Sequence, residues 1–270
     1  MTLSQPQQAR PGRLGVGIIG AGHVGPILGA ALAGAGHALV GISAISQASR
    51  DRAEAILPQV PILTVPEIVE RSELVILCVP DAALPGLVSG LAATSTWRPG
   101  QLVMHTSARF GTAVLEPALR GGAIPLAIHP AMSFTGTSLD LARLADSYFA
   151  VTAPTPVLPI GQALVVEMGG EPVIVSETDR AAYAEAIDTA TAFSTSIVEQ
   201  STRLLAGIGI DRPGAVLGPL VRSAMDNALQ RTGAAELADP SDALLLGDPP
   251  GPITPPRPTD PPRPTEPEDE

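Results

Sequence analysis

The sequence contains no lysine: all 16 of its basic residues are arginine. Schiff-base catalysis and a lysine general acid are therefore excluded, since both need an ε-amino group. Cysteine occurs once, at Cys78, so neither an internal disulfide nor a thiolate metal cluster can be built within the chain. Cys78 lies in an apolar strand pattern and reads as a buried, inert thiol. Aromatic residues make up only 3%, which leaves Ala, Val, Leu and Ile to form the core. Positive charge is also scarce. A formal net charge of -11 argues against nucleic acid and anionic membrane as partners. Leu14 to Ser49 carries no acidic residue or arginine, yet its glycines and Pro26 break it into strand, helix and strand, unlike a membrane span. Arg10 and Arg13 imitate the start of a secretion signal, but the apolar segment that follows is itself a structured turn. The expected location is the cytoplasm.

What is present begins with Leu14-Gly15-Val16-Gly17-Ile18-Ile19, an apolar strand running straight into Gly20-Ala21-Gly22-His23-Val24-Gly25. A helical pattern opens at once. Gly20 allows a tight turn, Gly22 lets backbone approach a pyrophosphate, and Gly25 lets helix and strand pack closely. The helix N-terminus then offers free N–H groups to phosphate. His23 and Val24 flank the same phosphate position. This pattern predicts a dinucleotide site.

Strand and helix patterns alternate as far as Ser176. Strands are expected at 14–19, 38–43, near Ile62, and at 74–79, 102–106, 124–128, 148–152 and 172–176. Helical patterns lie between them, among them 49–57, 82–93 and 113–120. Such alternation predicts an α/β fold built on a doubly wound parallel sheet. After Ser176 the turn signals vanish and Ala-rich helices are expected over 177–207 and 216–233, making a short all-helical second domain. The expected organisation is a loose leader over 1–12, a nucleotide-binding domain over 13–176 and a helical domain over 177–246. A Pro-rich acidic tail follows over 247–270, unable to bury a core.

In a doubly wound sheet the ligand crosses the carboxyl ends of the strands. At the end of strand two an NAD enzyme usually carries a carboxylate for the ribose hydroxyls. Here Ser43, Ser46 and Arg50 stand there with no carboxylate before Asp51. Hydroxyls and a guanidinium suit a 2′-phosphate, so NADP is expected ahead of NAD. Ser46 could equally cap the next helix. Val79 and Pro80 border the same cleft. His105 and His129 each follow a strand where a nicotinamide would lie, and either can move a proton near neutral pH. Ser107 could hydrogen-bond a carbonyl oxygen. Both histidines could instead satisfy backbone at a strand end, and His37 in a helix-to-strand turn reads as structural. No metal is expected.

Gly20 to Gly25, Val79-Pro80-Asp81, His105-Thr106-Ser107 and His129-Pro130-Ala131-Met132-Ser133-Phe134 resemble an oxidoreductase family. Its members join a Rossmann-like N-terminal domain to a C-terminal domain called DUF2520. The resemblance extends through Tyr183, Leu217-Gly218-Pro219-Leu220 and Asp226-Asn227-Ala228. It implies a Rossmann-type fold like that of pyrroline-5-carboxylate reductase and the 6-phosphogluconate dehydrogenase group. It also implies an NADP-dependent oxidoreductase of a small carbonyl, imine or hydroxy acid, dimeric through its helical domain. Ala108 stands where the family has glycine, and Ala184 where relatives often have histidine. The family's continuation after Asn227 is replaced by Leu237-Ala238-Asp239-Pro240-Ser241-Asp242, so the second domain is expected to be shortened. Two alternatives accompany this reading. One is a non-catalytic NADP(H)-binding module. The other is a prephenate dehydrogenase-like enzyme, suggested by His129-Pro130-Ala131-Met132.

Overall fold

The computed structural model describes residues 13–237; the expected leader and Pro-rich tail lie outside that range. Seven strands form one sheet: β1 (Gly15–Ile19), β2 (Ala38–Ser43), β3 (Leu74–Leu77), β4 (Leu102–His105), β5 (Ile124–Pro130), β6 (Tyr148–Thr152) and β7 (Glu171–Ile174). Their spatial order is β2-β1-β3-β4-β5-β6-β7. Every neighbouring pair is parallel except β5 and β6, where Ala127 pairs with Thr152 and His129 with Ala150 in antiparallel register. Around Ile62 there is no strand. Tight packing of Gly41 against Leu63 and Pro61 brings one isolated bridge from Ile42 to Ile62.

The strands are apolar on both faces because helices cover both. Leu74 and Ile76 of β3 point to one core with α1 (Gly25–Gly34) and α7 (Leu158–Glu167). Val75 and Leu77 point to the other, against α3 (Val65–Arg71) and α4 (Leu84–Ala93). α2 (Gln47–Ile56) is capped by Ser46, whose side chain accepts from Ser49 N–H. The segment expected as one helix over 113–120 is a 3₁₀ turn, Thr112–Leu115, followed by the short α5, Glu116–Arg120. A helix that the sequence pattern did not announce, α6 (Leu139–Leu144), follows β5. Its first turn holds Asp140, fully buried and accepting from Thr135 N–H, Gly136 N–H and Thr135 Oγ1.

Beyond β7 the described residues form two helices, α8 (Arg180–Gly207) and α9 (Pro213–Leu237). Compact packing divides the chain after Thr195, within α8. Pro213 starts α9, where its fixed φ and missing N–H suit a first helical turn, and Pro219 lies inside it.

Candidate functional site

The glycine turn has the shape its sequence demands. Gly20 has φ +108°, and a Cβ there would run into the Cys78 carbonyl of β3's outgoing loop. A Cβ on Gly25 would strike the Gly20 carbonyl. At Gly22 a Cβ would meet nothing within 4 Å, so this backbone faces open space. Val24, half-buried, is the N-cap of α1 and supplies no side-chain cap. Pro26 has no N–H, and the Ile27 and Leu28 N–H groups donate to the Val24 carbonyl, so the donors the turn can offer an anion are those before Pro26. Gly20 N–H donates to Ser43 Oγ at 3.0 Å. That bond fixes the end of β2 beside the turn, so Ser43 has a structural task as well as a lining one. From the opposite side Arg52 donates to the Ala21 carbonyl at 2.9 Å. Exposed His23 lies against the loop at Gly136, where a Cβ would meet both His23 and Arg52.

The turn opens onto a cleft of about 780 Å³. It is lined by Gly20 and Gly22, by Ser43, Ser46 and Arg50, and by Val79 and Pro80. This is where a doubly wound sheet binds a dinucleotide, and the residues present fit one. The cleft contains one carboxylate, Glu67, whose oxygens are engaged by Thr64 N–H, Thr64 Oγ1 and Arg71. Cys78 also lines the cleft. Desolvation pushes its thiol up to about 12, so it stays protonated and unreactive at neutral pH.

The histidines divide. His105 is fully buried at the end of β4. Its Nδ1 accepts from Ser107 N–H at 3.2 Å, and its Nε2 meets the Gly111 carbonyl at 2.8 Å. Since a carbonyl only accepts, Nε2 carries the proton and the ring is neutral. Burial, with the Arg180 charge adding to it, lowers its pKa to about 4. Both ring nitrogens are thus occupied by backbone. Ser107 is buried as well, its hydroxyl oxygen accepting from Arg109 and Phe110 N–H. His37 closes the far end of the sheet, between Leu14 N–H and Glu167.

His129 is half-buried near the end of β5, and its Nδ1 lies 2.9 Å from the Tyr183 hydroxyl. The two rings meet edge-on, with centroids 5.6 Å apart. Among the described residues Nε2 of His129 has no hydrogen-bond partner. Burial is the main reason its pKa falls to about 4, followed by the Arg180 charge. Two more residues adjoin it: Tyr183, named above only as carrying the family resemblance, and Arg180, which the sequence does not mark. They stand three apart on the first turns of α8, one helical turn, which is the signal that could have linked them. Nothing in the sequence indicates that Arg180 is buried.

The strand order and the glycine turn define a Rossmann-like fold. A Rossmann-like domain family matches residues 2–130, and the domain of unknown function DUF2520 matches residues 147–241. The chain thus carries a Rossmann-like domain match followed by a DUF2520 match. None of the curated proteins matches it. Among solved structures it is similar to a candidate NADP oxidoreductase from Bacteroides fragilis, at 18% identity, covering 80% of each chain with TM-score 0.65. An imine reductase from Streptomyces aurantiacus shares 17% identity over 83% of this chain and 77% of its own, with TM-score 0.63. A 1-pyrroline-5-carboxylate reductase from Streptococcus pyogenes shares 18% identity over 89% and 87%, with TM-score 0.58. At these identities the likeness is one of fold. No helix among the described residues is long and apolar enough to cross a membrane.

Proposed function

We propose that the chain is an NADP(H)-dependent oxidoreductase of a small carbonyl, imine or hydroxy acid. The observation that carries this reading is the glycine turn opening onto a cleft whose β2 end offers hydroxyls and a guanidinium. Gly20, Gly22, His23, Val24 and Gly25 would hold the pyrophosphate, using backbone N–H groups and the positive end of α1. Ser46 and Arg50 would hold a 2′-phosphate, and Val79 and Pro80 would flank the nucleotide. The nicotinamide, when bound, supplies or accepts a hydride.

The protein's own contribution is then proton handling. His129 carries a proton at a nitrogen that no backbone group occupies, and Tyr183 orients the ring. His105 and Ser107 support the floor of the site by fixing the loop after β4. The oxidoreductases among the structural neighbours support the same class, although they share only the fold.

Calorimetry with NADPH and NADH tests the reading. NADPH should bind about tenfold or more tightly than NADH, because one charge-assisted phosphate contact contributes on that scale. Arg50→Ala should narrow the gap without changing NADH binding. No uptake of either nucleotide at millimolar concentration would end the proposal.

A further inference from the structure

Among the described residues Arg180 is the largest fully buried side chain, 1% exposed at the start of α8. No carboxylate among the described residues pairs with it. Its guanidinium instead donates to four neutral oxygens. Nε reaches Thr152 Oγ1 at 2.8 Å, one terminal nitrogen reaches the Ser107 carbonyl at 3.3 Å, and the other reaches the Ala127 and Ala150 carbonyls at 2.7 and 3.1 Å. These oxygens belong to the loop after β4, to β5 and to β6. One side chain therefore ties three adjoining segments of the sheet to the first turn of α8. Only a planar fork with donors in several directions can do this, and lysine could not. Tyr183 lies one turn further along α8, with the guanidinium carbon 5.9 Å from its ring centroid.

A buried cation with no carboxylate in ion-pair contact is costly even with the Glu177 charge acting on it, and it acts on the dipoles around it. Beside the guanidinium, Tyr183 also makes the hydrogen bond to His129, which has two possible directions. Either the phenol O–H donates to Nδ1, or a protonated Nδ1 donates to the phenol oxygen. In the first, electron density builds on the phenol oxygen, which the neighbouring cation stabilises. In the second the imidazole becomes the donor, and its positive edge is turned into the same field. The cation favours the first.

We infer that Arg180 is a positioning residue that sets the direction of the Tyr183–His129 hydrogen bond, so that the phenol donates to Nδ1 and the imidazole proton resides on Nε2. The nitrogen without a protein partner is then the one that carries the proton. His129 is thereby presented as a neutral acid: it gives the Nε2 proton to a substrate atom as Nδ1 takes the phenol proton. This leaves a neutral imidazole and a Tyr183 phenolate that burial disfavours and the Arg180 charge stabilises, and the reverse step restores the phenol. This deepens the reading of His129 as the proton carrier and rests on it, yet the state of the ring can be read without cofactor or substrate. The other charged and titratable groups acting on His129 are Asp188 of α8, Asp81 after β3 and His105 of β4. The two carboxylates favour a charged imidazole and His105 opposes it, while Asp188 is partly neutralised by Arg109 at 3.1 Å.

The test is a nitrogen-15 NMR titration of histidine-labelled full-length protein. In the wild type His129 should show the Nε2–H tautomer and titrate near 4, far below the 6.5 of a free imidazole. Arg180→Gln should raise that midpoint by roughly one unit and weaken the tautomer preference, as loss of a nearby like charge does. Arg180→Lys should restore part of the low midpoint. Tyr183→Phe removes the donor from a half-buried position and should mix the two tautomers even if the Arg180 variants do not fold. A wild-type proton on Nδ1, or an unchanged tautomer in Tyr183→Phe, overturns the inference. An unchanged midpoint in folded Arg180→Gln does so too. Binding of NADPH with any of these outcomes would leave the oxidoreductase reading intact.

Discussion

His105 shows how a residue with the right chemistry can be committed elsewhere. It sits at a strand end beside the cleft, as a proton carrier would, but accepts from Ser107 N–H and donates to the Gly111 carbonyl. Its pKa falls to about 4 because the charged ring would lie buried, from an ordinary 6.5. The unfolded chain therefore binds a proton between those values that the native protein refuses. Unfolding takes up protons in that window, so stability is present in full above pH 6.5 and declines as pH falls toward 4. His129, lowered in the same direction to about 4, adds to the slope. Urea midpoints measured across this window should drop with falling pH. In His105→Gln, which keeps an amide donor for Gly111, the drop should be shallower. An equal slope in the variant would mean that His105 titrates as in solvent.

At the scale of elements, the β2–α2 junction serves two purposes that one substitution can separate. Ser46 accepts from Ser49 N–H and caps α2, and it also lines the cleft. Ser46→Ala should lower stability by about 1 kcal/mol, the usual cost of losing such a cap. Ser46→Asp keeps the cap, since a carboxylate accepts as well as a hydroxyl and suits a helix N-terminus. In the proposed site it would repel a 2′-phosphate. Thermal unfolding should then find Ser46→Asp as stable as the wild type, while calorimetry finds NADPH weakened and NADH unaffected. Equal weakening of both would place Ser46 away from the 2′ position.

The same junction shows what could be read beforehand. The glycine turn was legible because each glycine answers a steric demand made by adjacent chain: Gly20 by its positive φ, Gly25 by the carbonyl of Gly20. The strand runs were legible because burial on both faces leaves no polar positions, as in β3. The direction of β6 was not legible, since an isolated strand reads the same whether its neighbour is parallel or antiparallel. Helix α6 hid for a different reason. Its start is organised by a buried Asp140, a residue that sequence alone assigns to the surface. Arg180 hid for the same reason, its partners being carbonyls, which every residue possesses and no pattern marks.

On the scale of the whole molecule, the helices after β7 leave apolar side chains in water. On α8, Phe193, Ile197 and Leu204 are exposed at spacings of four and seven, and Ile208, just past the helix end, is exposed as well. These spacings fall on one stripe of a helix. Leu220 and Leu229 of α9 are 64% and 71% exposed, and their separation of nine residues turns them to opposite faces of that helix. Exposed apolar surface of this extent marks an interaction site rather than a solvated face. The occupant proposed is a second copy of the chain, in line with the dimer that the family resemblance implies. Burying Phe193, Ile197 and Leu204 at about 25 cal/mol per Å² gives a gross gain of several kcal/mol per protomer, which a dimer sets against the cost of association. Sedimentation velocity should therefore give twice the chain mass at micromolar concentration. Leu204→Glu with Ile208→Glu should give the single-chain mass with an unchanged far-ultraviolet dichroism spectrum. A wild type that sediments as one chain would assign the stripe to a different protein.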